Sequence, residues 1–122
     1  MDIKIIDIKY PDLKCVKKGL PGQELIVVFS VDGDKFRLTY IQEHYFYRGL
    51  PGEWREHCTF EKIARGEVVN TIKCDGEFRI PHEGRAEAYR DNQYHGDDPR
   101  FLSPSEEYIM ETFIKPFINR YF

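Results

Sequence analysis

His82, Glu83, Glu87, Asp91, His95, Asp97 and Asp98 fall within one run of seventeen residues. Imidazole nitrogens and carboxylate oxygens are the donors that hold hard and borderline divalent cations. If residues 87–95 are helical, Glu87, Asp91 and His95 stack at i, i+4 and i+8 on one face. A cation held there with open positions would activate water. His82, Glu87, Asp91, His95, Asp97 and Asp98 are thus the candidate ligands of a metal-dependent hydrolase acting on phosphoesters. The competing reading is a solvated loop whose acids pair with Arg85, Arg90 and Arg100. Asn92, Gln93 and Gly96 weaken the helix, and there is no HExxH-type signature.

Nucleophiles are less well marked. His57 and Cys58 are adjacent, but adjacency does not set the imidazole against the thiol, and no Asn or Asp partner is identifiable. Cys74 falls on a core-facing position and reads as inert. Two Gly-Leu-Pro-Gly stretches, at 19–22 and 49–52, invite a phosphate-cradling reading. Proline removes one backbone donor from each, and neither matches GxxxxGK[ST] or GxGxxG, so both read as structural turns.

The elements that must position these residues are mostly strands. "DIKIIDIKY" alternates but slips phase between Ile5 and Ile6, which implies two covered faces or a bulge. "ELIVVFSVDGDKFRLTYI" is a hairpin turning at Asp32-Gly33, with Leu25, Val27, Phe29 and Val31 on the face of Phe36, Leu38 and Tyr40. Its second strand extends toward "QEHYFYR". Residues 67–80, "EVVNTIKCDGEFRI", parallel residues 24–38 and imply a second hairpin at Asp75-Gly76, by convergence or by duplication. Between the two, "EWREHCTFEKIARG" offers Thr59 as a helix N-cap and Gly66 as a stop, giving a short helix near 60–65. Residues 81–102 form a long polar stretch. Ser103-Pro104-Ser105-Glu106 then reads as a capping box. Behind it runs an apolar stripe of Ile109, Met110, Phe113, Ile114, Phe117, Ile118 and Tyr121 that covers the core face of the sheet. Pro116 kinks that helix or restarts it. The expected architecture is α+β: an antiparallel sheet of about five strands, a short inserted helix, and a kinked C-terminal helix packed on one face.

The bulk properties bound the function. A chain of 122 residues reads as one domain, 1–122. Net charge is −3, with the balance neutral over residues 1–80 and all the excess acid in the remainder. That disfavours nucleic acid as a partner. Three cysteines without CxxC spacing read as reduced thiols of a cytoplasmic protein. "MDIKIIDIKY" does not resemble a signal peptide, and no apolar run approaches a membrane span.

By alternation, the outward sheet face carries Arg37, Lys73 and Arg79 beside Ile26, Val28, Ile41, Val69, Tyr45 and Tyr47. This is too apolar to be comfortable in water. Trp54, Tyr89 and Tyr94 add rings from flanking loops. The expectation is a non-catalytic binding protein without a cofactor. It would be homo-oligomeric and recognise a partner protein or a small anionic, nucleotide-like ligand through Arg37, Arg79, Tyr45, Tyr47, Trp54, Tyr89 and Tyr94. The metal-dependent hydrolase is the alternative. A second alternative is an inhibitory protein using its acidic C-terminal third.

Overall fold

Alternation of β-branched and aromatic residues with polar ones dominates the first two-thirds of the chain, and it builds a five-stranded antiparallel sheet. The computed structural model describes residues 1–10, 23–47, 50–81 and 104–122, with side chains undescribed at 23, 44–47 and 50–54. The strands are β1 (Ile3–Lys9), β2 (Gln23–Val31), β3 (Asp34–Tyr47), β4 (Leu50–Ala64) and β5 (Glu67–Lys73), in the spatial order of the sequence. The class is α+β, with a C-terminal helix following the strands in the element order. The described chain divides into two compact units, Met1–Glu77 and Phe78–Phe122.

In the first unit, Asp32 and Gly33 turn the β2–β3 hairpin with φ of 50° and 88°, the positive pair that a two-residue turn of matching twist requires. The register sets Leu25 against Tyr40, Val27 against Leu38 and Phe29 against Phe36. All six are buried, joined on β4 by Cys58 and Phe60. Phe29 stacks on Phe36 and meets Phe60 edge-on, with centroids 5.5 and 6.1 Å apart. The phase slip in β1 is a bulge. Register shifts between Ile5 and Asp7, so Ile3, Ile5 and Ile8 share one face and Ile6 is the extra, exposed residue. Asp32 also ties down the N-terminus, accepting from Asp2 N–H at 2.7 Å while its own N–H donates to Asp2 O at 2.8 Å.

Three expectations are corrected. Residues 60–65 are not helical: 60–64 lie within β4, between β3 and β5, and Arg65 begins the turn into β5. Glycine with positive φ ends a helix or turns a hairpin equally well, and Arg65-Gly66, at 55° and 77°, turns one. Thr59 pairs with Thr39 and Lys73 instead of capping. Asp75-Gly76, in turn, makes no second hairpin. Gly76 has φ of 79°, but the described residues that follow, 77–81, form no strand, and Glu77 N–H closes the turn on Cys74 O at 3.0 Å. The sheet therefore has the expected five strands with one substituted: β4 replaces the segment after Gly76. The second Leu-Pro-Gly opens β4, with Leu50 paired to Tyr47, while the first lies outside the described residues.

In the second unit, α1 (Glu106–Ile109), a π-helical segment (Met110–Ile114) and α2 (Lys115–Tyr121) run without interruption. The N-cap is Ser105, whose Oγ accepts from Tyr108 N–H at 3.2 Å. The cap thus lies two residues beyond the expected one; Ser103 is outside the described residues. Proline at 116 cannot supply the N–H that the Thr112 carbonyl needs. The helix answers with a widened turn just before it, in which Lys115 N–H donates to Met110 O, five residues back. Ile109, Phe113, Ile114, Phe117 and Ile118 form the buried stripe, and Tyr121 stands at its exposed end. Among the described residues, no helix is long and apolar enough to cross a membrane.

Candidate functional site

The sheet has two unlike faces, and pairing register lays out the more open one as a grid. Across the strands, one row reads Asp7, Val28, Arg37, Glu61, Thr71; the next reads Lys9, Ile26, Thr39, Thr59, Lys73. Beyond them Glu24 stands opposite Ile41, and Ile41 opposite His57. Ile26, Val28, Thr39 and Ile41 are half-buried, unlike the fully buried residues on the reverse face. Between β1, β2 and β3 lies an open depression of about 310 Å³. Its floor is Ile26, Val28 and Thr39, and Asp7, Lys9, Glu24 and Arg37 bound it.

Arg37 is the most constrained charge on this face. Its Nε and Nη2 both donate to Glu61 Oε1, at 3.0 and 2.8 Å. The pair is half-buried, with the Arg37 side chain 40% exposed, so its guanidinium is aimed rather than freely rotating. Lys9 and Asp7 approach at 3.9 Å and are more exposed, which makes that contact a weak one. The local charge is mixed: Lys9 and Arg37 against Asp7, Glu24 and Glu61.

Farther along β4, His57 stands between two carboxylates. Nε2 is 3.7 Å from Glu43 Oε2 and Nδ1 is 3.7 Å from Asp75 Oδ2. The other oxygen of Asp75 accepts from Cys58 N–H at 2.8 Å. Asp75 therefore fastens the turn after β5 onto β4, and this is the structural use of an Asp-Gly pair that makes no hairpin. Cys58 lies on the buried face and His57 on the open one, because successive strand residues point to opposite sides. Their adjacency in sequence is what separates them. Burial pushes the Cys58 thiol well above its ordinary range, with nearby Cys74, Asp75, Glu77 and Glu56 adding repulsion. No thiolate nucleophile arises there.

The expected site residues are dispersed by this geometry. Arg37 lies on the open face, as alternation implied, and so does Lys73. Arg79 belongs to no strand and falls in the second unit, so the pairing of Arg37 with Arg79 on one sheet face is corrected. The inference had needed a strand after Gly76. Val69 is the extra residue of a β5 bulge rather than a regular outward position, since register shifts between Lys62 and Ile63. Tyr45 and Tyr47 lie in β3, opposite Glu53 and Leu50, whereas Trp54, expected in a loop, is a β4 residue opposite His44. They lie where β3 and β4 pair beyond Gln42, and among the described residues no third strand joins them there. Tyr89 and Tyr94 lie outside the described residues, as do His82, Glu87, Asp91, His95, Asp97 and Asp98. Among the described residues no group of three or more His, Cys, Asp or Glu side chains is arranged to hold a metal ion.

Sequence reasoning placed Thr39 on the outward face but missed Glu61, Asp7, Lys9 and Glu24. The missing signal was the period-two pattern Cys58, Phe60 against His57, Thr59, Glu61, hidden by the helix-like start and stop around it. Comparisons with protein families, with characterised proteins and with solved structures find no match to this chain.

Proposed function

We propose that this protein is a non-catalytic binding protein whose open sheet face receives a small ligand carrying one anionic group. The observation that carries this reading is the depression over Ile26, Val28 and Thr39 with Arg37 oriented at its edge by Glu61. Two nitrogens of the guanidinium are committed to a single carboxylate oxygen, which leaves Nη1 for an incoming carboxylate or phosphate. Apolar floor and oriented cation together favour a monoanion with an apolar body. Asp7, Glu24 and Glu61 repel a polyanion, which narrows the nucleotide-like class to its least charged members.

Tyr45, Tyr47 and Trp54 fall together in the β3–β4 pairing beyond Gln42, and tyrosine and tryptophan are the residues that anchor interfaces. This supports a protein partner or a second copy of the chain at that end.

Ligand-observed NMR at low ionic strength, with benzoate, inorganic phosphate and AMP as probes, tests the reading. Saturable binding of benzoate is expected, tighter than that of phosphate or AMP and weakened at least tenfold in Arg37→Gln. No saturable signal from any probe, or an Arg37→Gln protein that binds as well as the parent, would sink it. Native mass spectrometry of the same sample reads the oligomer.

A further inference from the structure

Among the described residues β5 is an edge strand, and six of its seven residues are exposed. It joins the sheet through β4, and two groups hold the end where it leaves: the Asp75 carboxylate and the Cys74 backbone. Cys74 N–H donates to Cys58 O at 2.7 Å, one step beyond the Thr59–Lys73 pair. That places Cys58 and Cys74 directly across from each other. One of the two bonds of a regular pair is made, the Cys58 N–H going to Asp75 instead; regular opposed residues have Cα atoms about 5.5 Å apart, within the disulfide range. Both side chains are buried, 0% and 1% exposed, and neither is in a disulfide in this fold.

From this opposition we infer that Cys58 and Cys74 are a disulfide site, closed when the chain folds in the presence of an oxidant and protected once it has folded reduced. With oxidised glutathione as the oxidant, one cysteine thiolate attacks the glutathione S–S bond. This forms a mixed disulfide and releases one glutathione thiolate. The second cysteine thiolate attacks the protein sulfur of that bond and releases the other. Two protein thiols give up two protons and two electrons, and two molecules of reduced glutathione result. In the folded chain neither sulfur meets solvent, and burial keeps Cys58 protonated, so both attacks belong to the open chain. The bond encloses the β4–β5 hairpin and pins the most exposed strand at its base. The inference is independent of ligand binding at Arg37.

The test uses a Cys15→Ser chain, which removes the third thiol. One sample is unfolded, reduced, then refolded in a glutathione redox buffer; the other is kept folded and reduced in that buffer for the same time. Peptide mapping without reductant is expected to find a Cys58–Cys74 link and no free thiol in the refolded sample. The folded sample should keep both thiols. The linked protein should melt higher than the reduced one, by a shift on the order of 10 °C, and lose the shift on reduction. Thiols that stay free after oxidative refolding, links between chains, or a linked chain that melts lower would overturn the inference. So would equally fast oxidation of the folded sample.

Discussion

At the scale of single residues, the polar groups on the edges of the buried face carry more than their number suggests. Tyr40 is fully buried, and its hydroxyl donates to a Glu56 carboxylate oxygen. Asp75 satisfies the Cys58 amide. An Asp75→Ala protein would leave that N–H without its acceptor and is expected to lose about 1–2 kcal/mol by urea titration. Cys58 adds a pH dependence. Its thiol titrates above the ordinary 9.0 in the folded chain, so the unfolded chain gives up this proton first as pH rises. Stability from this group is therefore complete below pH 9 and falls above it. Cys58→Ala should flatten the alkaline limb of stability against pH while costing some packing; an unchanged limb would assign it to other groups. Adjacent His57 and Cys58 look like a catalytic pair in the sequence, and strand geometry puts them on opposite faces.

At the scale of elements, the turns and bulges decide the sheet. A Cβ at Gly66 would meet nothing within 4 Å, yet its φ is 77°. Gly66→Ala should thus cost about 1–2 kcal/mol from backbone strain alone, with no clash to relieve. Both edge strands carry a bulge whose extra residue is an exposed β-branched aliphatic, Ile6 in β1 and Val69 in β5, each 56% exposed. An extra residue breaks the flat row of donors and acceptors that a second sheet would need. Deleting Val69 restores even alternation to β5 without reversing its faces. The shortened protein is expected to self-associate in sedimentation velocity at concentrations where the parent does not. If it remains as dispersed as the parent, the bulge has no protective role.

At the scale of the whole molecule, the two units raise the question of cooperativity. The one-domain reading predicts a single thermal transition. Phe113, fully buried in the helical unit, would on truncation to alanine lose about 3–5 kcal/mol and lower the midpoint reported by strand and helix signals alike. Two separated transitions would make the units independent folders.

Residues 23–47 were legible in the sequence because the whole hairpin is local. Alternation sets its faces, and a glycine after aspartate sets its turn. The helix at 106–121 was legible for the same reason, apart from which serine caps it. Residues 50–64 were not, because Gly66 and Thr59 serve a helix and a hairpin equally in local terms. What separates the two outcomes is pairing with neighbours: β3 pairs with β4 from Leu50 to Ile63, and β5 pairs with its second half from Thr59 to Ala64. The site followed the same division. Arg37 was placed by the period of its own strand, whereas Glu61, which orients it, came from a strand that only the tertiary pairing created. The sequence by itself determined which residues alternate and where the chain turns left-handed. Tertiary structure alone decided which strands meet, because pairing is settled by hydrogen bonds between segments that local propensity never compares.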